Sequence, residues 1–281
     1  MTPERLGQHF LDVRWRERIA HAIFGLAAAT PAAQPHKSSG LWIEIGAGHG
    51  EMTAILAQHA SRVIAIELDA TLVERLRETT AALGNVAVVS GNVLELDFAE
   101  LADDSDLGGE SGTRFHVYGN LPYYISSPIV HRLFDNPARV ESAFIVVQRE
   151  VAERIAASPG HREYGYFSAF TQFYSRPEIL LRIPPGAFHP PPQVHSALVA
   201  LRPPGGRANL QVHDDCAFLK FLKVCFAHKR KTLRNNLRAL LSSVEAQESM
   251  LQTGLAADAR AEQLTLAQFA RLFANIGNAD R

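Results

Sequence analysis

Leu41-Trp42-Ile43-Glu44-Ile45-Gly46-Ala47-Gly48-His49-Gly50-Glu51 reads as a short strand running straight into a glycine loop and then a helix. Its apolar run is too short for a helix and is closed by turn residues. Small residues at a helix mouth let a ligand approach the backbone N–H groups. Position 51 is Glu, so the dinucleotide pattern G-x-G-x-x-G fails at its third glycine, and the phosphate cradle G-K-[ST] is also missing. A pyrophosphate ligand is disfavoured. Glu67 ends the next strand-like run, 67 − 46 = 21 residues after the first glycine, where an acid can accept hydrogen bonds from both hydroxyls of a ribose. This suits a nucleoside-type cofactor. By itself the loop leaves a nicotinamide or flavin site and a plain tight turn open beside an S-adenosylmethionine site.

Outward from this unit, β-branched runs at 41–45, 63–66, 86–89, 115–118 and 144–147 alternate with helix-period stretches. Such alternation predicts an α/β fold with a doubly wound, parallel sheet. Runs at 179–183 and 197–201 are separated only by a proline-rich turn region, which predicts a hairpin-like antiparallel edge. The acidic, Gly- and Ser-bearing segment 99–113 reads as a solvated loop. Pro203-Pro204-Gly205-Gly206 is the clearest linker, so a first domain is expected over 1–204 and a small all-α domain over 207–281. Within the latter, 218–241, 244–251 and 264–276 have helical periodicity, and no internal repeat is present.

A length of 281 residues suits roughly two domains at about 150 residues each. Lys+Arg 28 against Asp+Glu 29 excludes a chain that coats nucleic acid through overall charge, so affinity for a polyanion has to come from a local patch. Cys216 and Cys225 have neither disulfide-framework nor zinc spacing, which predicts no metal site and favours a reducing cytoplasm. Arg14 to Arg18, the apolar stretch 19–29 and Ala32-Ala33 imitate a signal peptide. Asp12, Glu17 and His21, with Ile19, Ile23, Phe24 and Ala27 at helical spacing, favour a surface helix instead. No segment approaches the ~18 apolar residues of a membrane span, so no membrane association is expected.

Asn120-Leu121-Pro122-Tyr123 follows the run 115–118, and strand C-termini line the ligand crevice of doubly wound sheets. Methyl transfer to an exocyclic base amine demands acceptors there, because the adenine N6 lone pair is delocalised into the ring and nucleophilic only when held toward the electrophile. The Asn120 side-chain oxygen and the Leu121 carbonyl, fixed by Pro122, are suited to accept the two N6 protons while Tyr123 stacks on the ring. The competing reading makes Asn120 a helix cap, Pro122 the first helical residue and Tyr123 a core residue.

Taken together, these residues resemble a ribosomal RNA adenine N6,N6-dimethyltransferase of the small-subunit type, over nearly the whole chain. Gly7-Gln8-His9-Phe10-Leu11 resembles the family's opening motif, Ile43 to Gly50 its cofactor loop, Ile66-Glu67-Leu68-Asp69 its ribose-binding strand end, and Asn120-Leu121-Pro122-Tyr123 its catalytic motif. Segments 148–154, 184–194 and 229–237 are similar to its later signatures. The resemblance implies a seven-stranded class I methyltransferase sheet, S-adenosylmethionine as donor, and two adjacent adenines in the 3′-terminal hairpin of small-subunit (16S) rRNA as substrate. It also implies action on the immature small ribosomal subunit in the cytoplasm, by a monomer. Carried over, His9 and Leu11 flank the cofactor, Gly46 approaches its methionyl part, and Gly48 and Asn120 join the contacts. Glu67 holds the ribose and Asn92 meets the adenine ring. Asn92 departs from the family, which commonly has Asp there and so makes a charged hydrogen bond to the cofactor amine. His49 is also unusual and is expected to be a solvent-facing turn residue. Phe188 is expected to cover the face of the flipped adenine opposite Tyr123.

The segment 218–241 holds seven Lys/Arg (Lys220, Lys223, Lys229, Arg230, Lys231, Arg234, Arg238) and no Asp or Glu. A continuous helix would put Phe226, Leu233, Leu237 and Leu240 on one face and Arg230, Arg234 and Arg238 on another that reaches RNA phosphates. A merely solvated face is the alternative. A large-subunit rRNA adenine methyltransferase, an N6-adenine DNA methyltransferase and a non-catalytic assembly factor on the same fold are rival readings; segment 229–237 argues against the first, and Asn120 with Glu67 against the last.

Overall fold

The structure is a computed structural model that describes residues 9–25 and 38–279. Gly7, Gln8, Ala27, Ala32 and Ala33 of the motifs above lie outside those residues. Nine strands are described: β1 (Phe10–Leu11), β2 (Ser38–Ile45), β3 (Ala60–Glu67), β4 (Val86–Ser90), β5 (Phe115–Asn120), β6 (Val140–Gln148), β7 (Arg176–Ile183), β8 (Phe188–His189) and β9 (Ser196–Arg202). Seven of them form one sheet in the order β4-β3-β2-β5-β6-β9-β7. The pairs β2–β3, β2–β5, β3–β4 and β5–β6 are parallel, while β9 runs antiparallel to β6. The expected doubly wound, mostly parallel sheet is what forms, with β9 inserted between β6 and β7. Its central strands are mostly apolar because helices cover both faces, with Glu44 of β2 and His116 of β5 as polar exceptions, and Ile43, Ile64, Val117, Ile145 and Val199 are fully buried.

The helices before β7 are α1 (Val13–Phe24), α2 (Glu51–His59), α3 (Ala70–Thr80), α4 (Phe98–Asp103), α5 (Ser126–Leu133), α6 (Arg149–Ala156) and α7 (Tyr166–Tyr174). Asp12 caps α1 by accepting from Trp15 N, and Asp69 caps α3 by accepting from Thr71 N and Leu72 N. The solvated loop expected over 99–113 is instead partly helical: Asp97 caps α4, and Asp103 near its end takes a forked ion pair from Arg139 at 2.6 and 3.1 Å. Short strands β1 and β8 pair antiparallel, with Leu11 opposite Phe188, and went unread because two residues carry no periodicity.

The chain divides into two compact units, Met1–Ala152 with Glu178–Pro203, and Glu153–Pro177 with Pro204–Arg281. The expected single cut between 204 and 207 therefore places 153–177 differently. The reason is aromatic packing: Phe173 of α7 meets Phe218 at 5.1 Å between ring centroids and Tyr164 meets Phe226 at 5.8 Å. The second unit adds α8 (Asp215–Cys225), α9 (Leu233–Leu237), α10 (Ser243–Gln252) and α11 (Leu266–Ala279). The continuous helix expected over 218–241 is broken. Asn236, 3% exposed, donates Nδ2 to the Cys225 carbonyl at 2.6 Å and so closes the end of α8 from the side of α9. Arg230, Arg234 and Arg238 consequently do not share one helix face.

Candidate active site

A crevice open to solvent lies in the first unit at the C-terminal ends of β2, β3, β4 and β5. Gly46, Gly48, Glu67, Asn92, Asn120, Leu121, Pro122, Tyr123 and His9 all line it, as does Phe10. The glycine loop is fixed from below: the N–H groups of Gly46 and Ala47 both donate to the Ile66 carbonyl, at 2.9 and 3.1 Å. Gly48 sits at φ 58°, and a Cβ there would stand 2.9 Å from a ring carbon of Phe10. Only glycine accommodates that backbone beside that ring.

Glu67, 5% exposed, accepts from Gly48 N through Oε2 at 2.8 Å and from Leu68 N and Asp69 N through Oε1 at 2.9 and 3.0 Å. The carboxylate thus ties the glycine loop to the end of β3. With about four acceptor sites on a carboxylate and three in use, a ribose diol has to share one of these oxygens. Beneath the loop, Glu44 is 2% exposed and accepts from the Thr53 hydroxyl. Burial pushes its carboxyl up to about 8, against the lowering influence of the Thr53 hydrogen bond, while the Glu67 and Glu51 charges raise it further.

Across the crevice, the Asn120 amide donates Nδ2 to the His9 carbonyl at 2.7 Å. A carbonyl only accepts, so this bond fixes which amide atom is nitrogen and leaves Oδ1 as the acceptor of a residue that lines the crevice. The helix-cap reading of Asn120 is thereby replaced. Leu121 is anchored by its N–H to the Val146 carbonyl at 3.0 Å, with its side chain 2% exposed. Tyr123 is half-buried, and its hydroxyl shares a 2.7 Å hydrogen bond with the buried Ser196 of β9. Burial raises the phenol above its ordinary range and the Ser196 contact offsets part of that.

The sequence profile described as ribosomal RNA adenine dimethylase matches residues 4–277. The chain belongs to that family. It is 42% identical over 271 residues to ribosomal RNA small subunit methyltransferase A of Acidobacterium capsulatum, covering 96% of this chain and 89% of the relative. Against the protein of the same name from Koribacter versatilis it is 39% identical over 275 residues, covering 96% and 92%. Among solved structures, a dimethyladenosine transferase from Plasmodium falciparum superimposes with a TM-score of 0.75 at 22% identity, covering 97% of this chain and 98% of that one. The 23S rRNA methyltransferase ErmE superimposes with a TM-score of 0.68 at 23% identity, covering 95% and 99%. These two likenesses establish the shared fold.

Three residues singled out through the family resemblance lie elsewhere than expected. Leu11 is 7% exposed and packed in the core, so Phe10, not Leu11, faces the crevice beside His9. Phe188 is 4% exposed within the same core and does not line the crevice. Its pairing to Leu11 turns it inward, and the ring over Tyr123 is His9, at 5.6 Å and 29° between planes. His9 is held there by a 2.8 Å bond from its Nδ1 to the Pro190 carbonyl, which assigns the proton to Nδ1. His49 is half-buried instead of fully solvent-facing: it stacks on Phe10 at 4.6 Å, with a buried Nδ1 that has no hydrogen-bond partner among the described residues. Asn92 lines the crevice with Oδ1 accepting from Leu94 N at 3.1 Å and Nδ2 donating to Glu95 at 2.8 Å.

In the second unit, Arg230, Lys231 and Arg238 are exposed. Lys229 donates to the Arg162 carbonyl, and Arg234 reaches Gln247 at 3.2 Å. Phe10, Leu68, Val93 and Tyr124 also line the crevice and were missed. Phe10 and Leu68 lie within the quoted motifs and Val93 and Tyr124 directly after Asn92 and Tyr123, so chain adjacency alone could have flagged them. Among the described residues no cluster of His, Cys, Asp or Glu is placed to hold a metal, and no helix is long and apolar enough to cross a membrane.

Proposed function

We propose that the chain transfers methyl groups from S-adenosylmethionine to N6 of two adjacent adenines in the 3′-terminal hairpin of small-subunit (16S) rRNA, giving N6,N6-dimethyladenosines during ribosome biogenesis. It acts as a monomer in the cytoplasm on the immature small subunit. The observation that carries the reading is the Asn120 amide, held by His9 so that its oxygen is the acceptor in the crevice.

The residues fit the donor. Gly46 and Gly48 leave backbone where a side chain would stand, Glu67 supplies an acid at the strand end, and Asn92 lies on the wall after β4. When bound, S-adenosylmethionine supplies an electrophilic methyl group on a sulfonium sulfur. Asn120 Oδ1 and the Leu121 carbonyl accept from the two N6 protons, which localises electron density on N6 and orients it. The Tyr123 ring supports the purine face, its hydroxyl held by Ser196 so the ring cannot rotate away. Once the N6–methyl bond has formed and the C–S bond has broken, N6 is cationic and its excess proton passes to solvent water at the open crevice, the amide oxygens acting only as hydrogen-bond acceptors. Arg230, Lys231 and Arg238, with Lys229 and Arg234 beside them, supply phosphate contacts to the RNA.

Labelled donor incubated with small ribosomal subunits isolated without this methylation, with large subunits and with DNA of matching sequence tests the reading. Transfer to the small-subunit RNA alone is expected; transfer confined to large-subunit RNA or DNA would overturn it.

A further inference from the structure

Two large apolar side chains on the crevice lining remain in water: Tyr124, 63% exposed, and Leu68, 52% exposed. Chain adjacency separates their tasks. Leu68 follows Glu67 and stands on the donor side, whereas Tyr124 follows Tyr123 and stands on the side of the target base. The Tyr124 backbone is rigid, because Ile125 N donates to the Pro122 carbonyl at 3.2 Å and the Ser126 hydroxyl donates to the same oxygen at 3.0 Å. No hydrogen bond from a described residue holds the Tyr124 hydroxyl. A rigid, solvent-facing aromatic next to the ring that supports the reacting purine is the arrangement proteins use to stack unpaired bases.

We infer that Tyr124 forms a second base subsite at the crevice mouth and stacks the unpaired nucleobase adjacent in the chain to the target adenine. The inference rests on the RNA-adenine reading above. A base drawn into the crevice leaves its covalent neighbour at the rim, stripped of one stacking partner, and Tyr124 is the exposed ring that rim offers. In a substrate with two adjacent adenines, the subsite holds one while the other reacts.

The test sets wild type and Tyr124→Ala, with Tyr124→Phe as a control, against an intact hairpin and against the same hairpin carrying an abasic ribose on the 5′ or on the 3′ side of the target adenine. On intact RNA, Tyr124→Ala is expected to raise KM for RNA about ten-fold, with kcat and donor affinity within about two-fold of wild type. Tyr124→Phe should match wild type, since the ring and not the hydroxyl is used. On the RNA abasic at the stacked neighbour, wild type and Tyr124→Ala should become equal. A Tyr124→Ala penalty that persists in full whichever neighbour is abasic, or no penalty on intact RNA, overturns the subsite while leaving the enzyme's reaction untouched. Wild type that methylates no RNA overturns the underlying reading instead, and the subsite with it.

Discussion

The side-chain amide of Asn120 donates to the main-chain carbonyl of His9, 111 residues earlier in the chain, at 2.7 Å. That bond makes an asparagine necessary where a carboxylate of nearly the same shape would seem equivalent. Asn120→Asp sets an acceptor oxygen against the His9 carbonyl and leaves that carbonyl without its donor. Asn120→Asp should lose about 1–3 kcal/mol of stability and be less stable than Asn120→Ala. Thermal unfolding of the three proteins at neutral pH measures this, and an aspartate variant as stable as wild type would refute the anchoring role.

Glu67 is at once a strut and a ligand-facing acid. Its three backbone donors leave no orientation in which a glutamine satisfies all of them, because one end of an amide is itself a donor. Glu67→Gln is therefore expected to weaken donor binding by about 1.5–3 kcal/mol and to lower thermal stability even without ligand. Calorimetric titration with S-adenosylmethionine, paired with unfolding of the free protein, separates the two effects.

Glu44 contributes a fall in stability with rising pH, opposite in sign to the contribution of His59 and His116, which burial holds below the ordinary histidine range. Its folded-state carboxyl sits near 8 against an ordinary 4.5. Folding thus favours the protonated form, so the stabilisation is complete below about pH 4.5 and is lost progressively as pH rises toward 8. Glu44→Gln, an isosteric neutral group, should flatten the fall in stability across that window, a difference on the order of a few kcal/mol between its ends. Tm measured against pH for both proteins checks it; parallel curves would show that Glu44 is ionised throughout.

The broken basic segment changes the expected salt dependence. Four phosphate contacts would give a slope of log K against log salt near −0.7 × 4, or about −3. Arg230, Lys231 and Arg238 are three exposed cations on and beside α9, next to Lys229, which is exposed but already donates to the Arg162 carbonyl, and replacing the three by alanine should reduce the slope by about 2. RNA binding measured across a salt series reads the change directly.

The alternation of apolar runs with helical stretches made the sheet legible because parallel strands buried on both faces carry a mostly apolar signal. The glycine loop, Glu67 and the tetrapeptide were legible because each demands particular residue types at fixed spacing. What escaped depends on pairings far apart in sequence. The β1–β8 ladder turns Leu11 and Phe188 inward, and nothing local to either residue announces it. Asn236, reaching back to Cys225, interrupts a helix whose periodicity continues across the break. Phe173 against Phe218 draws 153–177 into the second unit, although its own sequence reads like the helices before it.

The central claim is that the Asn120 oxygen positions a purine amine for methyl transfer. Single-turnover transfer of labelled methyl to unmodified small-subunit RNA, with RNA affinity measured on the same samples, tests it most directly. Wild type should transfer one methyl group to an adenine N6 in that turnover, and with excess donor should go on to place two on each of two neighbouring adenines. Asn120→Ala should bind RNA within about two-fold of wild type and transfer roughly a hundred-fold more slowly or worse, the scale of losing one aligned polar contact to a reacting group. Transfer by Asn120→Ala at the wild-type rate, or a loss of RNA affinity equal to the loss of rate, would contradict the account.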